Sequence, residues 1–240
     1  MAFAPALHAE WLKIRTLRSL YGTLLALLTA TTAFSAIAGA ETVEPDTDPL
    51  FTALSGVLPG QIAAITFGAL AVSAEYHAGA LRLSLCAVPR RGHWFAAKVT
   101  AIAVPALLMA LATTTAAFAV ARAGLGDAAS GLSTGEQVRG VLGSALYLTL
   151  MTLLAAGLTA VLRSGVATLS LLIPFVLVVS FVVGDTAGGV TDFLPDKAGQ
   201  VILYETYDGT LGPWSGLAVT ALWTAAALVA GAWSVRRRDA

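Results

Sequence analysis

The sequence predicts an all-α integral membrane protein with six membrane-crossing helices, and three observations carry that prediction. Of the 240 residues, 57% are hydrophobic and only 12% charged, with a mean hydropathy of +0.80. A soluble domain carries about 25% charged residues. The apolar residues gather into six runs long enough for a helix to cross a hydrocarbon core about 30 Å thick. The charges between those runs segregate by side. One cysteine, Cys86, excludes an intrachain disulfide and a cysteine metal cluster.

Residues 1–18 read as an amphipathic helix at the membrane surface. Leu7, Trp11 and Ile14 fall at helical spacing, Pro5 suits a helix start, and the cations Lys13, Arg15 and Arg18 come late. Residues 19–40 carry no charge and form the first span. Ala38-Gly39-Ala40 resembles a signal-peptide cleavage site. The apolar run exceeds a signal peptide's core, however, and Glu10 and Trp11 precede it, so the segment is expected to stay. Residues 41–51 hold four acids and two prolines and form a solvated loop. The second span covers residues 52–74, with Pro59 and Gly60 near its start.

The third span covers residues 94–121. It contains Pro105, which is tolerated where neighbouring helices satisfy the freed carbonyl. A Gly/Ser-rich loop, 122–137, leads to the fourth span, 138–162. Arg163-Ser164-Gly165 then turns the chain into the fifth span, 166–183, with Pro174 mid-helix. So short a connection makes those two helices antiparallel neighbours. Residues 184–213 form the longest loop, acid-rich with one lysine, Lys197. Leu194-Pro195 and the run Val201 to Tyr204 predict short helices lying at the interface there. The sixth span, 214–235, ends in Arg236, Arg237 and Arg238.

Six spans put both termini on one side. That side holds Lys13, Arg15, Arg18, Arg82, Arg90, Arg91, Lys98, Arg163, Arg236, Arg237 and Arg238, which is eleven of the fourteen cations. The other side holds Arg122, Arg139 and Lys197, with eleven of the fourteen acids. The positive-inside rule assigns both termini to the cytoplasm.

Several chemistries are missing from the sequence. No lysine is followed by Ser or Thr, so there is no phosphate loop. HExxH is absent, and His8, His77 and His93 lack the paired carboxylates of a metal centre. The apolar interiors are expected to hold no ionisable side chain, against a proton-driven carrier or an embedded acid/base enzyme. Hydroxyl residues such as Thr31, Thr114 and Thr152 fit either a polar-tolerant path or close helix packing, and packing is favoured.

Residues 75–93 are the segment most compatible with water on the basic side. Tyr76, Ala80, Leu83 and Ala87 recur at helical spacing, with Leu81, Leu85 and Val88 as a second strip. Glu75 needs a cationic partner on leaving hydrocarbon, and Arg82, Arg90 or Arg91 is the expected one. Pro89 ends the helix by biasing Val88 away from helical geometry. An ordinary loop obeying the charge rule fits the composition equally well.

Two segments carry a resemblance. Glu10-Trp11-Leu12-Lys13 with Arg15-Thr16-Leu17-Arg18-Ser19 is one. The other runs from Ser73-Ala74-Glu75-Tyr76 through Gly79-Ala80-Leu81-Arg82 and Val88-Pro89-Arg90-Arg91 to Lys98. Together they resemble the ABC-2 type permeases, small six-span proteins of the bacterial cytoplasmic membrane that work with a separate ATP-binding cassette subunit. The resemblance implies an interfacial helix over residues 5–18, with Trp11, Lys13, Arg15 and Arg18. It implies a cytoplasmic coupling helix over 75–91, where Glu75, Tyr76, Arg82, Arg90 and Arg91 meet the ATPase. It further implies short external helices after the fifth span, a second permease copy as partner, export of a hydrophobic or amphipathic small molecule, drug or peptide, and ATP only on the partner subunit. No catalytic residue, bound cofactor, metal or nucleic acid is implied. A six-span membrane enzyme and an ATPase-independent channel-like protein remain as alternatives; the first needs paired Glu or His at a membrane face, the second no ATPase.

Overall fold

The computed structural model describes residues 3–41, 48–77, 79–88, 90–126, 131–179, 188–207 and 209–237, and among these it is helical with no strand. Helix α1, Phe3–Thr16, buries Ala6, Glu10 and Ile14, one stripe at a spacing of four. Leu17 breaks it with extended backbone (φ −81°, ψ 107°), and α2, Arg18–Ala40, begins at once. The short α3, Pro49–Leu54, is capped by Asp48, whose side chain accepts from the backbone N–H of Leu50 and Phe51. A turn at Ser55 and Gly56 leads into α4, Val57–Ser73. Pro59 sits in its first turn, where a missing N–H breaks no helical bond.

After the 3₁₀ turn Ala74–Tyr76 comes α5, Ala80–Ala87. Gly79 opens it at φ +73°, a left-handed conformation that suits glycine. Val88 closes it with φ −129° and ψ 84°, the extended geometry expected before Pro89. Helix α6, Arg91–Leu125, has 35 residues, or about 52 Å at 1.5 Å per residue. That exceeds a hydrocarbon core of about 30 Å, and its first turns pack on α1. Helix α7, Thr134–Leu162, starts at a capping box in which the Ser133 hydroxyl and the Glu136 carboxylate accept each other's backbone N–H.

Arg163 then takes a left-handed conformation (φ +56°) and turns the chain into α8, Gly165–Pro174. A π turn, Phe175–Val179, follows Pro174, which has no N–H to continue the ladder. The 3₁₀ segment Gly188–Phe193, helix α9 (Pro195–Gln200), the 3₁₀ turn Val201–Leu203 and helix α10 (Pro213–Arg237) complete the order.

Among the described residues, five helical stretches are long and apolar enough to cross a membrane: Arg18–Ala40, Pro49–Tyr76, Arg91–Leu125, Thr134–Leu162 and Pro213–Arg237. The stretch expected as the fifth span is a shorter apolar helix, Gly165–Val178. Its predicted continuation to residue 183 lies outside the described residues. Helices α2 and α6 run parallel, with Gly39 against the backbone of Ala121. Helices α4 and α7 form the centre of the bundle. There a Cβ on Gly68 would stand 2.0 Å from the carbonyl oxygen of Thr152, so the two backbones touch. Two of the hydroxyls bond across helix contacts: Thr152 donates to its own helix and to Ala64 O of α4 at 3.1 Å, and Thr114 donates to Val141 O at 3.1 Å.

The bundle has two ends. The near end gathers α1, α5, the first turns of α6, the 163–165 turn and the end of α10, where Arg91 donates to Val235 O at 3.1 Å. The far end gathers α3 and the short helices of 188–203. Those short helices, expected at the interface, are built into the end of the bundle. Asp196, Ala198, Ile202 and Leu203 are fully buried, wedged between α7 and α10. Thr220 of α10 donates to Pro195 O at 2.8 Å and Arg139 of α7 to Tyr204 O at 2.9 Å. These bonds satisfy carbonyls that a surface helix would leave to water.

Candidate functional site

At the near end, four segments meet at a buried cluster of charge. Glu10 comes from α1 on the stripe that faces α6. Glu75 comes from the 3₁₀ turn ending the second span, and Lys98 from two turns inside α6, beside Trp94 and Ala101 on its buried face. Lys13 reaches in from the edge of α1, with 36% of its side chain exposed. The other three side chains are 3–4% exposed.

Lys98 Nζ donates to Glu10 Oε2 at 2.6 Å and to Glu75 Oε1 at 2.7 Å. Lys13 Nζ donates to Glu10 Oε1 at 2.9 Å, Glu75 Oε1 at 2.8 Å and Ser84 Oγ at 3.0 Å. Ser84 Oγ, on α5, donates to Glu75 Oε2 at 2.9 Å. Two carboxylates and two ammonium groups thus alternate in a closed, neutral ring, and Ser84 fastens α5 to it. Half-burial by itself would lower the pKa of Lys13. The bonds from Glu75 and Glu10 outweigh it and hold the ammonium above the ordinary lysine value of 10.5.

The ring corrects two expectations. The cations on Glu75 are Lys13 and Lys98, where Arg82, Arg90 or Arg91 was expected. The spans are also not free of ionisable groups, because Lys98 lies within the third. Its charge is tolerated because the two carboxylates of Glu10 and Glu75 accept from it.

The two strips on α5 separate by burial. Leu81 is buried, with Leu85 and Val88 packed against the core beside Trp94 and Phe95. The opposite face, expected to carry the apolar stripe, looks outward. Leu83 is 73% exposed, with Arg82, Cys86 and Ala87 beside it, all exposed. Next to this face lies a cleft of about 470 Å³ lined by Glu75, Tyr76, Gly79, Leu81, Arg82 and Arg163. The Arg163 guanidinium stands 5.9 Å from the Tyr76 ring centroid, and Tyr76 Oη donates to Ala160 O at 3.4 Å.

Of the residues singled out from the sequence, Lys13 and Glu75 meet in the ring, and Tyr76 and Arg82 border the cleft. Arg90 is exposed just before α6, and Arg91 binds the end of α10 instead. Trp11 packs in a groove with Leu7, Thr100, Ala101 and Val104, while Arg15 and Arg18 are exposed. Glu10, Ser84 and Lys98 were not foreseen. The available signal was a charge on the apolar face of a helix: Lys98 shares a face with Trp94, Ala101 and Ile102, and Glu10 shares one with Ala6 and Ile14.

Nothing in the ring is an activated nucleophile or a free acid or base. Each carboxylate is compensated by two ammonium groups. What the arrangement supplies is mechanical: α5 cannot shift without dragging α1, the end of α4 and the start of α6. No family model and no curated protein matches this chain.

Proposed function

We propose that the chain is the membrane-spanning permease subunit of an ATP-binding cassette exporter in a bacterial cytoplasmic membrane. In this reading the near end is cytoplasmic, as the charge distribution favours, and the short helix α8 with its continuation completes six spans. Two copies work together, each holding an ATPase that carries the nucleotide. The cargo is a hydrophobic or amphipathic small molecule, drug or peptide. The observation that carries the reading is α5 itself. It is a two-turn amphipathic helix locked by buried charge to three other segments, with a leucine and an arginine left facing out. A face of that kind is what a handle for another protein requires: an apolar anchor with a charged rim. Closing of the ATPases on ATP would push on Leu83 and Arg82, and the ring would pass the push to α1, α4 and α6 as one body.

The test is co-purification of the tagged chain from its host, with ATP hydrolysis measured in the eluate. A co-purifying protein that contains a phosphate loop and hydrolyses ATP is expected. Arg82→Glu and Leu83→Asp should each abolish its association while the variant still inserts and remains folded. Normal transport by the purified chain alone in liposomes would overturn the proposal.

A further inference from the structure

We infer that a side pocket at the far end of the bundle binds an anionic amphiphile, with its head group on Lys197 and its tail along Phe34, Ile62 and Leu177. The pocket has a volume of about 350 Å³ and lies between α2, α4, the π turn after α8, and α9. That is within the roughly 300–1,000 Å³ of small-molecule sites. Its walls are apolar, and its polar groups converge at one end: Lys197 and Gln200 on α9, and Gln61 on α4.

Gln200 is held by Tyr147, and the other two groups can donate. Gln61 is 3% exposed and its Oε1 accepts from the buried Tyr147 hydroxyl, which leaves the amide N–H for an occupant. Lys197 is half-buried and makes no ion pair or hydrogen bond among the described residues, although the far side of the chain is rich in acids. An ammonium and an amide N–H facing a pocket with apolar walls select an anion over a neutral or cationic head. The rest of the occupant is set by the mouth. Phe34 and Leu177 are 54% and 50% exposed there and open sideways onto the apolar outer faces of α2 and α8, where acyl chains lie in a membrane. Leu177 belongs to the π turn that follows Pro174. This wall therefore departs from α-helical bonding, and π turns recur at binding sites.

That the amphiphile is cargo rests on the transport proposal; that it binds does not, so the two can fail separately. The experiment uses the full chain in phosphatidylcholine nanodiscs without any ATPase. Three diazirine probes are compared by photolysis and peptide mass mapping: a palmitic acid, a phosphatidic acid and a phosphatidylcholine. An acidic probe should label the segments holding Phe34 and Leu177 about tenfold more than the zwitterionic one, as a charge-assisted hydrogen bond implies. Preference for the fatty acid over the phosphatidic acid, or the reverse, identifies the head group as carboxylate or phosphate. Lys197→Gln should bring labelling down to the zwitterionic level and Lys197→Arg should keep it. On the unaltered chain, oleate should displace the probe and dodecyl maltoside should not. Equal labelling by all three probes, or an acidic preference that survives Lys197→Gln, would overturn the inference.

Discussion

Lys98 shows most directly what a single side chain does in this protein. Its ammonium is sealed from water and answers two carboxylates at 2.6 and 2.7 Å. Removing it leaves two buried anions with only the half-exposed Lys13 between them. Lys98→Met should therefore destabilise the near end by about 3–5 kcal/mol, seen as a lower melting temperature in detergent. Adding Glu75→Gln to Lys98→Met should recover part of that loss, because the remaining Glu10 and Lys13 again balance. The same ring has a pH signature. A lysine whose folded pKa is raised contributes stability that is complete below its unfolded value and is lost as pH rises through the folded value. The Lys13 contribution to docking of α1 should thus be constant up to 10.5, the ordinary lysine value, and be lost in more alkaline solution. Trp11 emission, isolated by comparison with Trp11→Phe, reports the release. The site was half legible before the structure. Glu75 and Lys13 stood out as charges at the edges of apolar segments. Their pairing did not, because ion partners 62 and 88 residues apart depend on how helices pack, which local spacing does not encode.

Helix packing shows the same division at the next scale. Helices α4 and α7 approach so closely that the nearest atoms to a Cβ on Gly68 would be the backbone of Thr152. Gly68→Ala should push the two helices apart and cost about 1–3 kcal/mol. Gly22→Ala on the outer face of α2, where an added Cβ meets nothing within 4 Å, should leave the melting temperature unchanged or slightly raised. Helix positions were read well from the sequence because apolar runs of span length have few alternatives in a chain this poor in charge. Residues 19–40 and 214–235 correspond to Arg18–Ala40 and Pro213–Arg237. The errors fall where hydropathy carries no signal. The capping box at Ser133 starts α7 four residues before the apolar run begins at Val138, because Thr134 to Gln137 are polar and helical at once. The acid-rich loop of 184–213 read as surface, yet Asp196 is buried. Its burial follows from the tertiary bonds that hold α9 to α10.

For the molecule as a whole, the lone cysteine makes the orientation of the bundle testable without altering the protein. Cys86 is exposed on α5 at the near end. The near end also carries Lys13, Arg15, Arg18, Arg82, Arg90, Arg91, Arg163, Arg236 and Arg237, and excess cations are retained on the cytoplasmic side during insertion. A membrane-impermeant maleimide should therefore label Cys86 in inside-out vesicles and leave it unlabelled in right-side-out ones. A second variant reverses the pattern. Gly131 lies at the far end, where an added side chain meets nothing within 4 Å, so Gly131→Cys in a Cys86→Ser background should label only from outside. The two results together require an odd number of crossings between positions 86 and 131, which α6 supplies as one. Labelling of Cys86 from outside would invert the whole molecule. Leu83 and Arg82 would then stand where no nucleotide-driven partner works, and the proposal that α5 is a handle would fall while the charge ring beneath it stayed intact.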